Sequence, residues 1–155
     1  MALFVSNFTN KIDRKGRVSV PAPFRQILAA KGSDAVVLYP HPKHAAIEGG
    51  GMDWLDDYAA RLNQLPEYDA DRDALQALFS QVTQVAADSE GRIILPEGLV
   101  AHAGLGETAI FVGTGAKFEI WEPARHAEHL AQQQARIRER NLTVPPLARA
   151  TGAAS

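Results

Sequence analysis

The chain has 155 residues, 46% hydrophobic and 22% charged, with sixteen Lys and Arg against eighteen Asp and Glu. That length suits one compact domain or two closely packed halves. There is no cysteine, which excludes disulfides, thiolate metal sites and cysteine nucleophiles, and no apolar run reaches the ~20 residues of a membrane span.

Met1 to Asn10 lacks the basic start and apolar core of a signal peptide, so a cytoplasmic protein is the expectation. Phe8, Asn10 and Ile12 alternate with Thr9 and Lys11, which predicts a half-buried strand. Asp13 to Gly16 breaks the alternation as a hairpin turn, with Arg17 to Val20 as the return strand. Pro21 suits the first position of a helix, with Ser19 close enough to help cap it. Phe24, Ile27 and Leu28 form its apolar stripe and Gly32 its stop. Ala35 to Tyr39 and the weaker Ala45 to Glu48 read as strands, the second ended by Gly49-Gly50-Gly51. Asp53 can cap a helix carrying Trp54, Leu55, Tyr58 and Leu62, which Pro66 ends. Asp69 to Asp73 opens another helix, where the helix dipole favours acids, with Leu75, Leu78, Phe79 and Val82 as its buried stripe.

The second half repeats the order. A strand near Val82 to Ala87 meets a turn at Asp88 to Gly91, and Arg92 to Leu95 returns. Pro96 opens a short helix with Leu99 and Val100 that closes at Gly104. Thr108 to Val112 and Lys117 to Trp121 read as a hairpin across Gly113-Thr114-Gly115, before a long helix from Pro123 towards Arg140. Residues 141–155, with a Pro-Pro pair and an Ala-rich end, show no core-forming pattern and read as a mobile tail.

The order repeats because the sequence does. Asp13-Arg14-Lys15-Gly16-Arg17-Val18-Ser19-Val20-Pro21 recurs, offset by 75 and without a gap, as Asp88-Ser89-Glu90-Gly91-Arg92-Ile93-Ile94-Leu95-Pro96. Asp, Gly, Arg and Pro are identical, while Arg14-Lys15 becomes Ser89-Glu90. The Asp–Arg pair persists where the tip is no longer basic. That assigns fold-building to Asp13, Gly16, Asp88, Gly91 and Arg92, and leaves Arg14 and Lys15 as the more purely functional residues, with Arg17 serving both ends. Charge follows the same division. Residues 1–31 hold Lys11, Arg14, Lys15, Arg17, Arg25 and Lys31 against Asp13 alone, a net +5, whereas residues 32–155 carry −7. Positive potential is focused on one element of an acidic chain. A basic tip around a glycine can approach phosphates and, as a two-stranded ribbon, enter a major groove, where Arg reads guanine in bidentate fashion and Lys acts as a point charge.

Other chemistries fare worse. His41 and His44 flank Pro42 in a loop pattern, and Glu122, His126 and His129 share the last helix, but solvated histidines are the commoner explanation of such spacing. Asp69-x-Asp71-x-Asp73 opens like a calcium loop and fails at Ala74 and Ser80. Gly113-x-Gly115 lacks the third glycine of a dinucleotide fingerprint, and no Walker lysine or nucleophile elbow is present. No catalytic constellation, metal or cofactor is expected.

With Asp13-x-Lys15-Gly16-Arg17-x-Ser19-x-Pro21, Phe24-Arg25, the second Asp88-x-x-Gly91-Arg92, His102-Ala103-Gly104-Leu105 and Lys117-Phe118-Glu119-Ile120-Trp121, the chain resembles the MraZ family from about Phe4 to the last helix. The resemblance implies an α+β fold. Two tandem AbrB/SpoVT-like swapped-hairpin units, 1–81 and 82–140, would form a small pseudo-twofold β-barrel with flanking helices, followed by the tail. It implies ring-shaped homo-oligomers and a nucleoid-associated transcriptional regulator. Its target would be double-stranded DNA, short direct repeats in the promoter of the division and cell-wall gene cluster. The DNA-facing residues would be Arg14, Lys15 and Arg17 of the N-terminal hairpin, with Lys11 beside them. Arg14 departs from the small polar residue usual there, which marks it as an added contact. A lone unit of this kind has too little core, which is a physical reason for fusing two. The runner-up is an antitoxin-like protein that binds a protein partner, against which the C-terminal half reads as a folded unit and not an inhibitor arm. A metal-dependent enzyme would rest on the histidines alone.

Overall fold

The computed structural model describes residues 2–32 and 35–148. Residues 149–155 of the expected tail lie outside the described residues. Two compact units are distinguished, Met1–Pro123 and Ala124–Ser155.

The first unit runs β1 (Asn7–Lys11), β2 (Arg17–Ser19), α1 (Ala22–Ala30), β3 (Ala35–Pro40), β4 (Ile47–Gly50), α2 (Met52–Leu62), α3 (Ala70–Gln76), a 3-10 segment (Ala77–Gln81), β5 (Thr83–Ala86), β6 (Arg92–Ile94), α4 (Glu97–Ala103), β7 (Thr108–Gly113) and β8 (Phe118–Trp121). The helix α5 (Pro123–Arg140) follows. Together these make an α+β protein with the strand and helix order read from the sequence.

The strand partners are less local than that order suggests. Six strands form one antiparallel sheet in the order β1-β7-β8-β4-β3-β5, and β2 pairs with β6 in a separate two-stranded sheet. β1 does not form a hairpin ladder with β2. One bridge, Ile12 to Val18, joins them, after which β1 pairs with β7 and β2 with β6. β5 likewise leaves its turn to pair with β3. The tight turns force the chain back on itself for one residue pair, and the larger apolar surface of the other strands then captures each arm. Neither sheet closes on itself. Where the resemblance implied a small barrel, the described residues form an open sheet ending at β1 and β5. In the two-stranded sheet Val18 lies opposite Ile93, its own counterpart in the repeat, and both are buried. The β7–β8 hairpin forms as its spacing predicts.

Phe4, Phe24, Phe111 and Phe118 are fully buried. Their rings lie 5.2 to 5.9 Å apart in edge-on and tilted contacts. Each such ring contributes about 2–3 kcal/mol through burial. Of the glycines expected to end β4, Gly49 and Gly50 instead lie inside it. A Cβ on Gly49 would come within 2.6 Å of the Phe118 ring, so the strand passes where no side chain fits.

Helix starts also differ in detail. Pro21 is the N-cap of α1, and no side chain, Ser19 included, caps it. Gly51 caps α2, while Asp53 sits in its first turn and pairs with Lys31 at 2.9 Å. Asp69 caps α3 through the amides of Asp71 and Arg72. α3 buries no residue, and Leu75 is exposed. The chain tightens into the 3-10 segment before a stripe at helical spacing can develop, and Leu78 and Phe79 are half-buried there. Considered by itself, α5 ends at Asn141, whose φ of 50° turns the chain out of the helix. No helix among the described residues is long and apolar enough to cross a membrane.

Candidate nucleic-acid interface

The turn at Asp13–Gly16 is built from one carboxylate. Asp13 Oδ1 accepts from the Lys15 and Arg17 amides, both at 2.9 Å, and Oδ2 accepts from Arg17 Nε at 2.7 Å. The Asp13 amide donates to the Arg17 carbonyl at 3.0 Å, and the Gly16 amide to the Asp13 carbonyl at 3.0 Å. Gly16 has φ +79°, a conformation that glycine adopts without Cβ strain. The amide of Arg17 is the largest influence holding the Asp13 carboxyl below its ordinary pKa, with the Arg17 side chain and the Lys15 amide adding to it against partial desolvation.

The second turn repeats this geometry. Asp88 Oδ1 accepts from the Glu90 and Arg92 amides at 2.9 Å, and Oδ2 from Arg92 Nε at 3.0 Å. Gly91 again has φ +79°, and the Asp88 carboxyl is lowered first by the Arg92 amide. Here the guanidinium is held a second time, by Glu90 at 2.9 Å from Arg92 Nη2. The first turn carries Lys15 at the Glu90 position, so that carboxylate has no counterpart.

A further asymmetry comes from the helices. Arg25 on α1 donates from Nε to the Val20 carbonyl at 3.0 Å, and its guanidinium lies over the second turn. A Cβ on Gly91 would stand 2.5 Å from Arg25 Nη1, whereas one on Gly16 would meet only the Leu95 carbonyl at 3.6 Å. The residue corresponding to Arg25 beside the first turn is Val100. One tip is therefore acidic and covered by an arginine; the other is basic and open, with Lys11, Arg14 and Lys15 exposed around it and Arg17 half-buried. The sequence marks Arg25 as one positive charge among six and as part of the Phe24-Arg25 pair, without a local role. The contrast with Val100, visible in the repeat, was the available sign of its local role.

His41 and His44 lie elsewhere in the first unit. His41 sits between β3 and β4, where its Nδ1 accepts from the amides of Lys43 at 3.0 Å and His44 at 3.2 Å. Its Nε2 faces Glu48 at 3.4 Å and Glu119 at 3.6 Å. Glu48, 3% exposed, accepts from the Tyr39 hydroxyl at 2.6 Å and from the Lys117 ammonium, which occupies the place a cation would take. Among the described residues, no group of three or more His, Asp and Glu is arranged to hold a metal ion.

The fold and the site define an α+β protein with a duplicated Asp-clasped turn, one copy basic and open, the other acidic and covered. Residues 78–143 match the family model described as "MraZ protein, putative antitoxin-like". The chain is 38% identical over 146 residues to the "Transcriptional regulator MraZ" of Rickettsia bellii, covering 93% of this chain and 97% of that one. It is 41% identical over 140 residues to the protein of that name from Beijerinckia indica, covering 90% and 85% of the two chains. For the one from Azorhizobium caulinodans the identity is 39% over 140 residues, covering 90% and 89%. The chain belongs to the MraZ family. These relatives are named as regulators and not as enzymes.

Proposed function

We propose that the chain is a DNA-binding transcriptional regulator whose first turn meets the duplex. The observation that carries this reading is the pair of turns with one hydrogen-bonded frame and opposite tips. Arg14 and Lys15 add nothing to the clasp through their side chains, are exposed and stand on the uncovered copy. Arg17 spends Nε on Asp13 and can offer its remaining donors outward, and Lys11 lies on the same arm. Asp13, Gly16, Asp88, Gly91 and Arg92 then act as turn builders. Residues 1–81 and 82–140 are read as two swapped-hairpin units of one ancestral design.

In this reading the target is a set of direct repeats in the promoter of the division and cell-wall gene cluster, in the cytoplasm at the nucleoid. Copies of the chain associate in a ring, so that weak single-tip contacts gain from effective concentration on adjacent repeats. Only the rim facing DNA need be positive, which reconciles the reading with a net charge of −2.

The test is binding to the duplex upstream of the protein's own coding sequence, with scrambled duplex as competitor. Arg14→Glu with Lys15→Glu is expected to abolish the shift while thermal stability and oligomer size stay unchanged. Log affinity should fall with log salt at ~0.9 per phosphate neutralised. Unchanged affinity in the double variant, or a flat salt response, would sink the assignment and return the tip to the protein-partner alternative.

A further inference from the structure

Neither the family match nor the charge pattern says what aims the basic turn. Its two arms belong to different sheets, since β1 is laddered to β7 and β2 to β6. Between the arms the backbone supplies the Asp13 clasp and the single Ile12–Val18 bridge. Beyond that bridge the strands part, and among the described residues one side-chain bond crosses the gap: Asn10 Nδ2 donates to the Ser19 carbonyl at 2.8 Å. Asn10 lies opposite Ala109 in the β1–β7 register, so its carboxamide ties the far end of β2 to the edge of the six-stranded sheet.

The second copy lacks this tie. The residue corresponding to Asn10 is Val85, a half-buried side chain packed against the core, and the one corresponding to Ser19 is Ile94, which is exposed. Valine favours a strand and asparagine is depleted there. Position 10 thus gives up strand propensity and apolar packing for one hydrogen bond, and does so only beneath the basic tip. The clasp is common to both turns; the arm-to-arm tie is not.

We infer that Asn10 is a positioning residue for the basic turn, fixing the angle at which Arg14 and Lys15 leave the sheet. The inference rests on the reading of that turn as the DNA-facing element. A turn hinged at the Ile12–Val18 bridge alone must lose angular freedom when it binds, whereas one tied at Asn10 has already lost it.

The experiment compares the full-length wild type with Asn10→Val and Asn10→Gln. Asn10→Val installs the residue of the second copy and is expected to keep or raise the melting temperature. Its affinity for the upstream duplex should fall about five-fold, the equivalent of one hydrogen bond's net contribution. The salt slope should stay unchanged, because no phosphate contact is removed. In the DNA-free protein, deuterium uptake over residues 12–18 should rise. Asn10→Gln keeps a carboxamide donor and should recover most of the affinity and the protection.

Equal affinity of wild type and Asn10→Val would overturn the inference. So would a loss of affinity without raised uptake, which would make Asn10 a direct DNA contact, or a marked fall in melting temperature, which would make it a folding residue. If the wild type itself fails to bind the duplex, the DNA reading fails instead, and the uptake comparison alone decides whether Asn10 ties the arms.

Discussion

The Leu95 amide donates to the Gly16 carbonyl at 2.9 Å, and the corresponding Val20 amide donates to the Gly91 carbonyl at 3.0 Å. Each turn thereby finishes the strand that follows the other turn. The acidic copy carries a net negative tip, yet its glycine carbonyl satisfies the Val20 amide where β2 leads into α1. A buried amide left without that partner would cost ~1–3 kcal/mol. The second copy is thus structurally coupled to the first through hydrogen bonds that do not depend on the tip residues.

That coupling makes the two glycines unequal. Gly16→Ala places a Cβ in ordinary contact with the Leu95 carbonyl and suffers only from its φ of +79°, a cost of ~1 kcal/mol. Gly91→Ala carries the same backbone strain and also drives into the Arg25 guanidinium, so ~2–3 kcal/mol is expected. Urea unfolding of both variants checks the order. Arg25→Ala should relieve part of the Gly91→Ala penalty, which appears as a favourable coupling in the double-variant cycle. Strictly additive losses would show that Arg25 moves aside freely and does not cover the turn.

The arginines divide in the same way. Arg92 is held by Asp88 and Glu90, so Arg92→Ala should lower the melting temperature by a few degrees while affinity for the upstream duplex stays close to wild type. Arg17→Ala should lower both, because Arg17 braces the first clasp and lies at the tip we propose meets the duplex. Thermal melts and titrations of the two variants on one duplex separate these roles. A pure binding defect in Arg92→Ala would reassign the second turn to DNA.

These contrasts show where the sequence was legible. The turn at Asp13 is encoded within five residues, since its carboxylate reaches only amides and a guanidinium two and four positions on. The same locality makes β1, α1 and the β7–β8 hairpin readable. Strand partnership is not local. That β1 joins β7 a hundred residues away depends on the combined apolar surface of Phe8, Phe111 and their neighbours, which no short window contains. Gly49 illustrates the same limit: three glycines in a row resemble a strand end, and only the Phe118 ring pressed against the backbone explains why Gly49 continues one. The roles of Arg25 and Asn10 are not legible in the same way, because each acts on a segment that its own periodicity does not reveal.

Glu48 and Lys117 form an ion pair at the sheet, with the Glu48 carboxylate buried and the Tyr39 hydroxyl donating to it. Burial and the neighbouring carboxylate push the Tyr39 phenol far above its ordinary pKa, so it remains a donor throughout the working range. Lys117→Met leaves a buried carboxylate without its cation and should cost ~3–5 kcal/mol. Adding Glu48→Gln removes the stranded charge and should restore much of that loss. Urea midpoints of the two singles and the double variant test this, and a double variant as unstable as the sum of the singles would refute it.

Acid should weaken the fold in two stages. His41 accepts two amides at Nδ1, so its proton resides on Nε2, and a second proton would have to enter between two N–H donors. Desolvation is the main cause lowering its pKa, aided by His44 and Lys117 and opposed by Glu48 and Glu119. With the folded value below the unfolded ~6.5, the unfolded chain takes up the proton first, and stability falls as pH drops below about 6.5 until the folded histidine also titrates. Asp13 and Asp88 add a second stage. Their lowered carboxyls contribute stability above the unfolded value near 3.8, and that contribution is lost as pH falls through the folded values. His41→Asn, whose Oδ1 can accept the same two amides, should flatten the upper stage and leave the lower one. Melting temperatures measured from pH 7.5 down to about 2 decide the matter, and a wild type as stable at pH 5.5 as at 7.5 would contradict the neutral, amide-bound His41.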